Sequence, residues 1–365
     1  MEDLSEVIQL KAGVTSGTLS LSSVEMRLDK NIETLTIQTD GPVTVAQSGA
    51  PEAQGSGVDQ PAPPMHPLFP GRRFISTVLD VLDSKQEMTG HLIGKYLQRA
   101  TMAGFFVGIF FTTYFALVAR FAAMPDVPGA ALVGKVLGSL TFGWALVLIY
   151  YTNSELLTSN MVVVSIGAYH KRITWLRSLK ILGLCLVGNL LGGLVIAVLL
   201  RFSSVVDGDI LAQMVSAAAM KTGYLTQGFA GVMDLFVRAI LCNFCINIAM
   251  LMVYNGKLTN DFTKCVIMVV AVFVFAFLGL EHSIAVLFLI VGLHGAVDPL
   301  LAVGSIAVTI LGNFVGGGLL IGLNFAVMND EERHHPLVRL AHGGSKNLGD
   351  YEDFEDFENE DPAEK

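Results

Sequence analysis

From residue 101 onward the chain alternates long apolar runs with short polar ones. The runs cover roughly 101–123, 137–168, 179–200, 235–254, 265–293 and 300–328. A bilayer's hydrocarbon is crossed by about 20 helical residues, and backbone in lipid has to satisfy its own hydrogen bonds, so each run reads as a transmembrane helix. The second and fifth runs are too long for a simple span. Both carry polar residues near the middle, Thr152-Asn153-Ser154-Glu155 and Gly279-Leu280-Glu281-His282. That pattern predicts helices 2 and 5 broken at the midplane, with the loose backbone buried in protein or lining a cavity.

The flanks differ in kind. Residues 1–70 are polar, with weak alternation around Glu33–Val45 that suggests a strand or two, and Pro51–Pro70 reads as an extended linker. This extension is expected to be largely disordered. No basic n-region followed by an apolar stretch opens the chain, so no cleavable signal peptide is expected. Over 71–100 the spacing of Phe74, Val78, Val81 and Leu82, then Leu92, Tyr96 and Leu97, predicts an amphipathic helix at the membrane surface. The transmembrane domain then occupies 101–328, and 329–365 forms a cytoplasmic, acidic tail.

Lysine and arginine counts orient the spans. Arg72, Arg73, Lys85, Lys95, Arg99, Lys171, Arg172, Arg177, Lys180, Lys257, Lys264, Arg333, Arg339 and Lys346 flank one side. The other side has Arg120, Lys135, Arg201 and Lys221, with Arg238 just inside the fourth span. The positive-inside rule places both termini in the cytoplasm, consistent with an even number of spans in a cell (inner) membrane.

Two stretches repeat. Gly188-Asn189-Leu190-Leu191-Gly192-Gly193 in the third span resembles Gly312-Asn313-Phe314-Val315-Gly316-Gly317 in the sixth. Aligning the interrupted spans sets Glu155 opposite Glu281 and Leu156 opposite His282. Three spans per half is an odd number, so the expected fold is all-α, two inverted three-helix repeats with a site where the two breaks meet.

Composition supports a membrane body. Apolar residues make up 52% and charged residues 15% of the 365, against roughly 25% charged in soluble domains, and mean hydropathy is +0.58. The net charge of −9 hides a division: residues 1–70 carry −6 and 351–365 carry −7, leaving +4 between them. The acidic run 351–365 reads as a solvated tail. Cys185, Cys242, Cys245 and Cys265 lie in apolar stretches and suggest neither a disulfide framework nor a metal site.

A carboxylate and an imidazole at membrane depth cost several kcal/mol unless partnered and usually face a bundle interior or pathway. His282, with a reference pKa near 6.5, can be cationic and hold a small anion, or neutral and exchange a proton. Glu281 can hold a cation or accept from loose N–H groups at the break. The competing reading is a buried polar pair that only fixes packing. Thr158, one turn beyond Glu155, can donate to an imidazole or an anion, or bond back to its own helix. Phe142 and Leu146 share a helical face, and Phe275 lies two turns before His282; together they can form apolar constrictions or plain core. Gly188xxxGly192 and Gly312xxxGly316 permit close helix approach, with Asn189 and Asn313 bonding across it.

Four stretches in order carry a resemblance to the formate/nitrite transporter family. Tyr151-Thr152-Asn153-Ser154-Glu155-Leu156-Leu157-Thr158-Ser159 is similar to its loop signature, usually Gly-Ala-Asp/Glu-Leu-Phe-Thr. Leu241-Cys242-Asn243 resembles its Leu-Cys-Asn motif. Gly279-Leu280-Glu281-His282-Ser283-Ile284-Ala285 resembles Gly-Phe-Glu-His-Ser-Ile-Ala, and Gly312-Asn313-Phe314-Val315-Gly316-Gly317-Gly318 resembles the last-span motif. The resemblance covers about 230 residues and leaves out the first 70 and the acidic tail. It implies a homopentamer of aquaporin-like protomers, each with its own pore. It also implies His282 as the central pore residue with Thr158 as its partner and Asn243 and Asn313 as neighbours. Phe142, Leu146 and Phe275 fall at the family's constrictions, and Lys221 at its vestibule lysine, though farther from Asn243 than usual. Tyr151-Thr152-Asn153-Ser154 replaces the family's small, glycine-containing lead-in.

The expected function is passage of small monovalent anions such as formate, nitrite, short carboxylates or hydrosulfide, coupled to protons through His282. Its partners are those anions, protons, the lipid bilayer and further copies of the chain. A neutral-solute channel of the aquaporin or ammonia type is the alternative, although paired Asn-Pro-Ala motifs and a second mid-span histidine are absent. A third reading makes the polar ends a scaffold or sensor for soluble partners. No nucleophile–base constellation, metal spacing or phosphate loop suggests an enzyme, a cofactor or a nucleic-acid partner.

Overall fold

The computed structural model describes residues 71–283 and 285–330, together with the backbone of two short strands, β1 (Glu25–Arg27) and β2 (Thr36–Gln38). The expectations for the rest of the N-terminal extension and for the acidic tail lie outside the described residues. The chain divides into two units, 1–61 and 62–365. Within the first, β1 and β2 pair antiparallel with Met26 opposite Ile37.

Among its described residues the second unit is built of helices. In chain order its helices are α1 (Arg72–His91), α2 (Ile93–Ala122), α3 (Ala130–Tyr151), α4 (Leu157–Tyr169), α5 (Trp175–Arg201), α6 (Gly208–Thr226), α7 (Gly228–Tyr254), α8 (Asp261–Leu278), α9 (Val286–Leu293) and α10 (Pro299–Asn313). A π-helical stretch, Phe314–Leu323, continues α10 into α11 (Asn324–Met328). Among the described residues six runs are long and apolar enough to cross a membrane: α2, α3, α5, α7, α8 and α10 through α11, each of 18–30 residues.

Several helix starts follow directly from sequence. Thr174 accepts from the Arg177 N–H ahead of α5, and Asn260 from the Thr263 N–H ahead of α8. Asp298 accepts from the N–H groups of Leu300 and Leu301, and Pro299 opens α10, where a missing N–H costs nothing.

The element pattern departs from expectation at two places. The first span begins at Ile93, well before 101, because the chain turns at Leu92 (φ −126°, ψ 41°) into a separate helix. In α1 the residues Phe74, Val78 and Leu82 form one buried stripe, and Lys85 and Thr89 continue it. α6 falls in a stretch that carried no expected element. Its stripe Ile210, Met214 and Ala218 is buried, but intervening polar residues keep the segment too polar to stand out as an apolar run.

Helix pairs approach closely where glycine removes the side chain. A Cβ on Gly192 would lie 2.1 Å from the Thr101 carbonyl oxygen, and one on Gly316 2.1 Å from that of Ile240. These contacts press α5 onto α2 and the π-helical stretch onto α7.

Candidate functional site

Two interruptions are built alike. After α3 the chain turns through Asn153 (φ 51°), and after α8 through Gly279 (φ 70°). At the first, the N–H of Asn153 bonds the Tyr150 carbonyl at 3.1 Å and that of Ser154 bonds Ile149 at 2.9 Å. At the second, Gly279 bonds Ala276 at 3.2 Å and Leu280 bonds Phe275 at 2.9 Å. This paired closure satisfies the orphan carbonyls of the ending helix. The next N–H then crosses to a neighbouring helix: Glu155 to the Arg99 carbonyl at 3.2 Å, Glu281 to that of Arg238 at 3.4 Å.

An asparagine clamps each break. Asn189 on α5 accepts from the Leu157 N–H at 3.1 Å and donates to the carbonyls of Ala100 and Glu155, both at 2.8 Å. Asn313, closing α10, accepts from the Ser283 N–H at 2.9 Å and donates to Ala239 at 2.7 Å and Glu281 at 3.0 Å. Three hydrogen bonds occupy each amide, so both side chains hold backbone.

Both acids carry a lysine. Glu155 pairs with Lys85 of α1, and Glu281 with Lys221 of α6. Taking a charge out of water costs several kcal/mol, and a partner in direct contact is what offsets it. The pairs differ in their surroundings. Asn160 Nδ2 lies 3.0 Å from Glu155 Oε2, 3.0 Å from the Tyr96 hydroxyl and 3.3 Å from Cys185 Sγ. Around Glu281 the neighbouring guanidinium of Arg238 donates instead to the Gly279 carbonyl at 3.3 Å, held by Asp234 at 2.9 Å.

His282 follows Glu281 and meets α4. Thr158 Oγ1 and His282 Nε2 are 3.3 Å apart. The imidazole lies 5.8 Å from the Phe275 ring, which is 6.0 Å from Phe142. His282, Phe142, Leu146 and Phe275 line one narrow cavity of about 20 Å³, closed further by Leu156 and Ile246. Apart from the imidazole its wall is aliphatic and aromatic. Beneath Thr158, Asn243 donates to the Thr158 carbonyl at 3.3 Å and to the Asn313 carbonyl at 2.6 Å.

The structure therefore gathers His282, Phe142, Leu146 and Phe275 around one space, with Thr158 against the imidazole. Glu281, next to His282 in the chain, pairs with Lys221, while Asn243 and Asn313 hold the backbone of Thr158 and of the break. Sequence reasoning used Glu155 only as an alignment mark and missed the contacts of Lys85, Asn160, Tyr96, Cys185 and Arg238. The signal for Lys85 was present, a cation on an apolar stripe. For the others, only the folded arrangement brings the partners together.

A family model described as formate/nitrite transporter matches residues 74–327. The formate channel FocA of Escherichia coli (strain K12) is 31% identical over 263 residues, covering 65% of this chain and 87% of that protein. A solved FNT family ion channel superposes with a TM-score of 0.59 at 24% identity, covering 69% of this chain and 97% of that one. A pentameric formate channel with formate bound gives 0.52 at 21%, covering 65% and 97%. At these identities the two structures speak to the fold.

Proposed function

The chain belongs to the formate/nitrite transporter family, and we propose that it passes small monovalent anions across a membrane with His282 as the proton-exchanging group of its pore. The class of substrate comprises formate, nitrite, short carboxylates and hydrosulfide, all conjugate bases of weak acids. The observation that carries the reading is the Thr158–His282 contact at 3.3 Å, facing a cavity otherwise walled by apolar side chains.

Physical chemistry supplies the rest. A bare anion between Phe142, Leu146 and Phe275 loses its hydration and finds no donor to replace it, a cost that grows steeply at low dielectric. Transfer of a proton from the imidazolium to the anion leaves a neutral ring and a neutral acid, and the ring takes its next proton from water on the entry side. The neutral acid then crosses the apolar gap and releases the proton on the far side. The Thr158 hydroxyl meets Nε2 and orients the ring for that exchange. Lys221 and Glu281 hold the break in shape at the edge of the site.

The same reading extends to assembly and placement. The pentameric channel that shares this fold supports a homo-oligomer, each protomer carrying its own pore between two inverted halves. Exposed apolar side chains such as Leu176, Leu199, Phe202 and Leu300 offer surface for lipid and neighbouring copies. The excess of Lys and Arg on one side supports an inner-membrane protein with cytoplasmic termini.

The test is uptake into liposomes. Wild-type protein is expected to accumulate formate faster as external pH falls, and His282→Phe to lose about a hundredfold of that pH-dependent component. Unchanged pH-dependent flux in His282→Phe would overturn the role. Swelling with glycerol but not formate would move the chain to the neutral-solute class.

A further inference from the structure

Asn247 lies on α7 one turn beyond Asn243 and is fully buried. We infer that it is a positioning residue for the Thr158–His282 pair, gripping the Thr158 carbonyl so that the threonine hydroxyl meets the imidazole. This rests on the function proposed above.

The geometry is specific. Asn247 Nδ2 lies 3.3 Å from the Thr158 carbonyl oxygen, 2.9 Å from that of Asn243 and 2.7 Å from Asn243 Oδ1. All three neighbours are acceptors, so the amide's NH2 end must face them and the orientation is unambiguous. Two amides thus converge on one carbonyl in the first turn of α4. The opposite end, Oδ1, has no hydrogen-bond partner among the described residues. A buried polar atom left unmatched costs free energy, which an apolar residue would avoid. The amide is retained for what its NH2 end does.

The neighbourhood is shaped around it. A Cβ on Gly317 would lie 2.3 Å from Asn243 Nδ2 and 2.5 Å from Asn247 Nδ2, so that glycine makes room for both amides. Asn243 and Asn247 come five and nine residues after Arg238, whose carbonyl receives Glu281. At the same spacing after Arg99, whose carbonyl receives Glu155, stand Gly104 and Gly108. Glycine can make no such grip. The double clamp exists only beneath the residue that touches His282.

Among the described residues, these titratable groups stand near His282. Its own segment contributes Glu281 and α6 contributes Lys221; on α7, Cys242 adjoins that pair. Phe142 of α3, Ile246 of α7 and Phe275 of α8 face the ring without titrating, and α4 presents Thr158. A change in Thr158 geometry is therefore expected to register in the pH response.

The experiment follows formate uptake by proteoliposomes between about pH 5 and 8, spanning the imidazole range. Asn247→Leu keeps the branched heavy-atom skeleton and removes the donors; Asn247→Ser is the smaller variant, used should the first fail to assemble. Thr158→Val is the reference. Either Asn247 variant is expected to move the pH midpoint by about half a unit, in the direction Thr158→Val moves it. In a Thr158→Val background, Asn247→Leu should add no further shift. A full-sized shift in that background, or an unchanged midpoint with only a lower rate, overturns the inference. His282→Phe separates the two levels. If it keeps pH-dependent flux the proposed function fails, whereas its loss together with an unmoved Asn247→Leu midpoint sinks this inference alone.

Discussion

The break between α3 and α4 and the break between α8 and α9 share their turn, their clamp and their buried Lys–Glu pair, yet only the second presents a titratable side chain to the cavity. Leu156 stands after Glu155, and His282 after Glu281. Glu155 has Asn160, Tyr96 and Cys185 close about it, whereas Glu281 pairs with Lys221 without such a cluster. What the halves share is what an interrupted helix needs in order to exist inside lipid. Where they diverge is where solute chemistry can be added without disturbing that frame. One break is braced and apolar; the other keeps the frame and exchanges leucine for imidazole.

Removing the two carboxylates separates the breaks most sharply. Deleting one partner of a buried pair costs about 3–5 kcal/mol, because the remaining charge is stranded. Lys85 and Glu155 are 10% and 5% exposed, Lys221 and Glu281 18% and 4%. Glu155→Gln strands the more enclosed lysine and disturbs the Asn160 contacts as well. It is expected to lie at the upper end of that range, with Glu281→Gln at the lower, measured by thermal unfolding of the purified protein. Equal losses would mean that the bracing around Glu155 adds nothing.

The clamps come next. Asn189→Leu and Asn313→Leu each remove three hydrogen bonds and leave a buried N–H, on Leu157 or Ser283, without its acceptor. About 3 kcal/mol is expected from each. Their transport should differ. Ser283 adjoins His282, so Asn313→Leu is expected to depress pH-dependent formate uptake per folded protein, while Asn189→Leu leaves it near wild type. Equal loss of uptake in both would show that the breaks act as one unit.

How far these features are readable without coordinates depends on their range. The six spans follow from local apolarity, because lipid admits no other solution for the backbone. The acid in each break is visible as a polar residue where hydrocarbon should be. α6 is harder, since its stripe Ile210, Met214 and Ala218 is interrupted by residues that face away from the core. The pairing of Lys85 with Glu155 spans much of the first half of the helical unit, and nothing local announces it. Lys221 is reached from sequence only through resemblance; its contact with Glu281 depends on α6 folding back beside α7. Asn247 looks like another polar residue on a packed helix until the Thr158 carbonyl is seen against it.

The left-handed turns give the smallest and cleanest comparison. Asn153 and Gly279 occupy the same step in the two closures, at φ 51° and 70°. Asparagine visits this region more readily than other residues with a side chain, and glycine enters it without penalty. A Cβ added at Gly279 meets nothing within 4 Å, so no packing loss confuses the result. Gly279→Ala is then a test of backbone strain alone, expected to cost about 1–2 kcal/mol. Gly279→Asn, which copies the first break into the second, should cost clearly less. Unfolding midpoints of the two variants decide the matter. If asparagine is as damaging as alanine, the second turn needs freedom that the first does without, and the equivalence of the two closures fails at its simplest element.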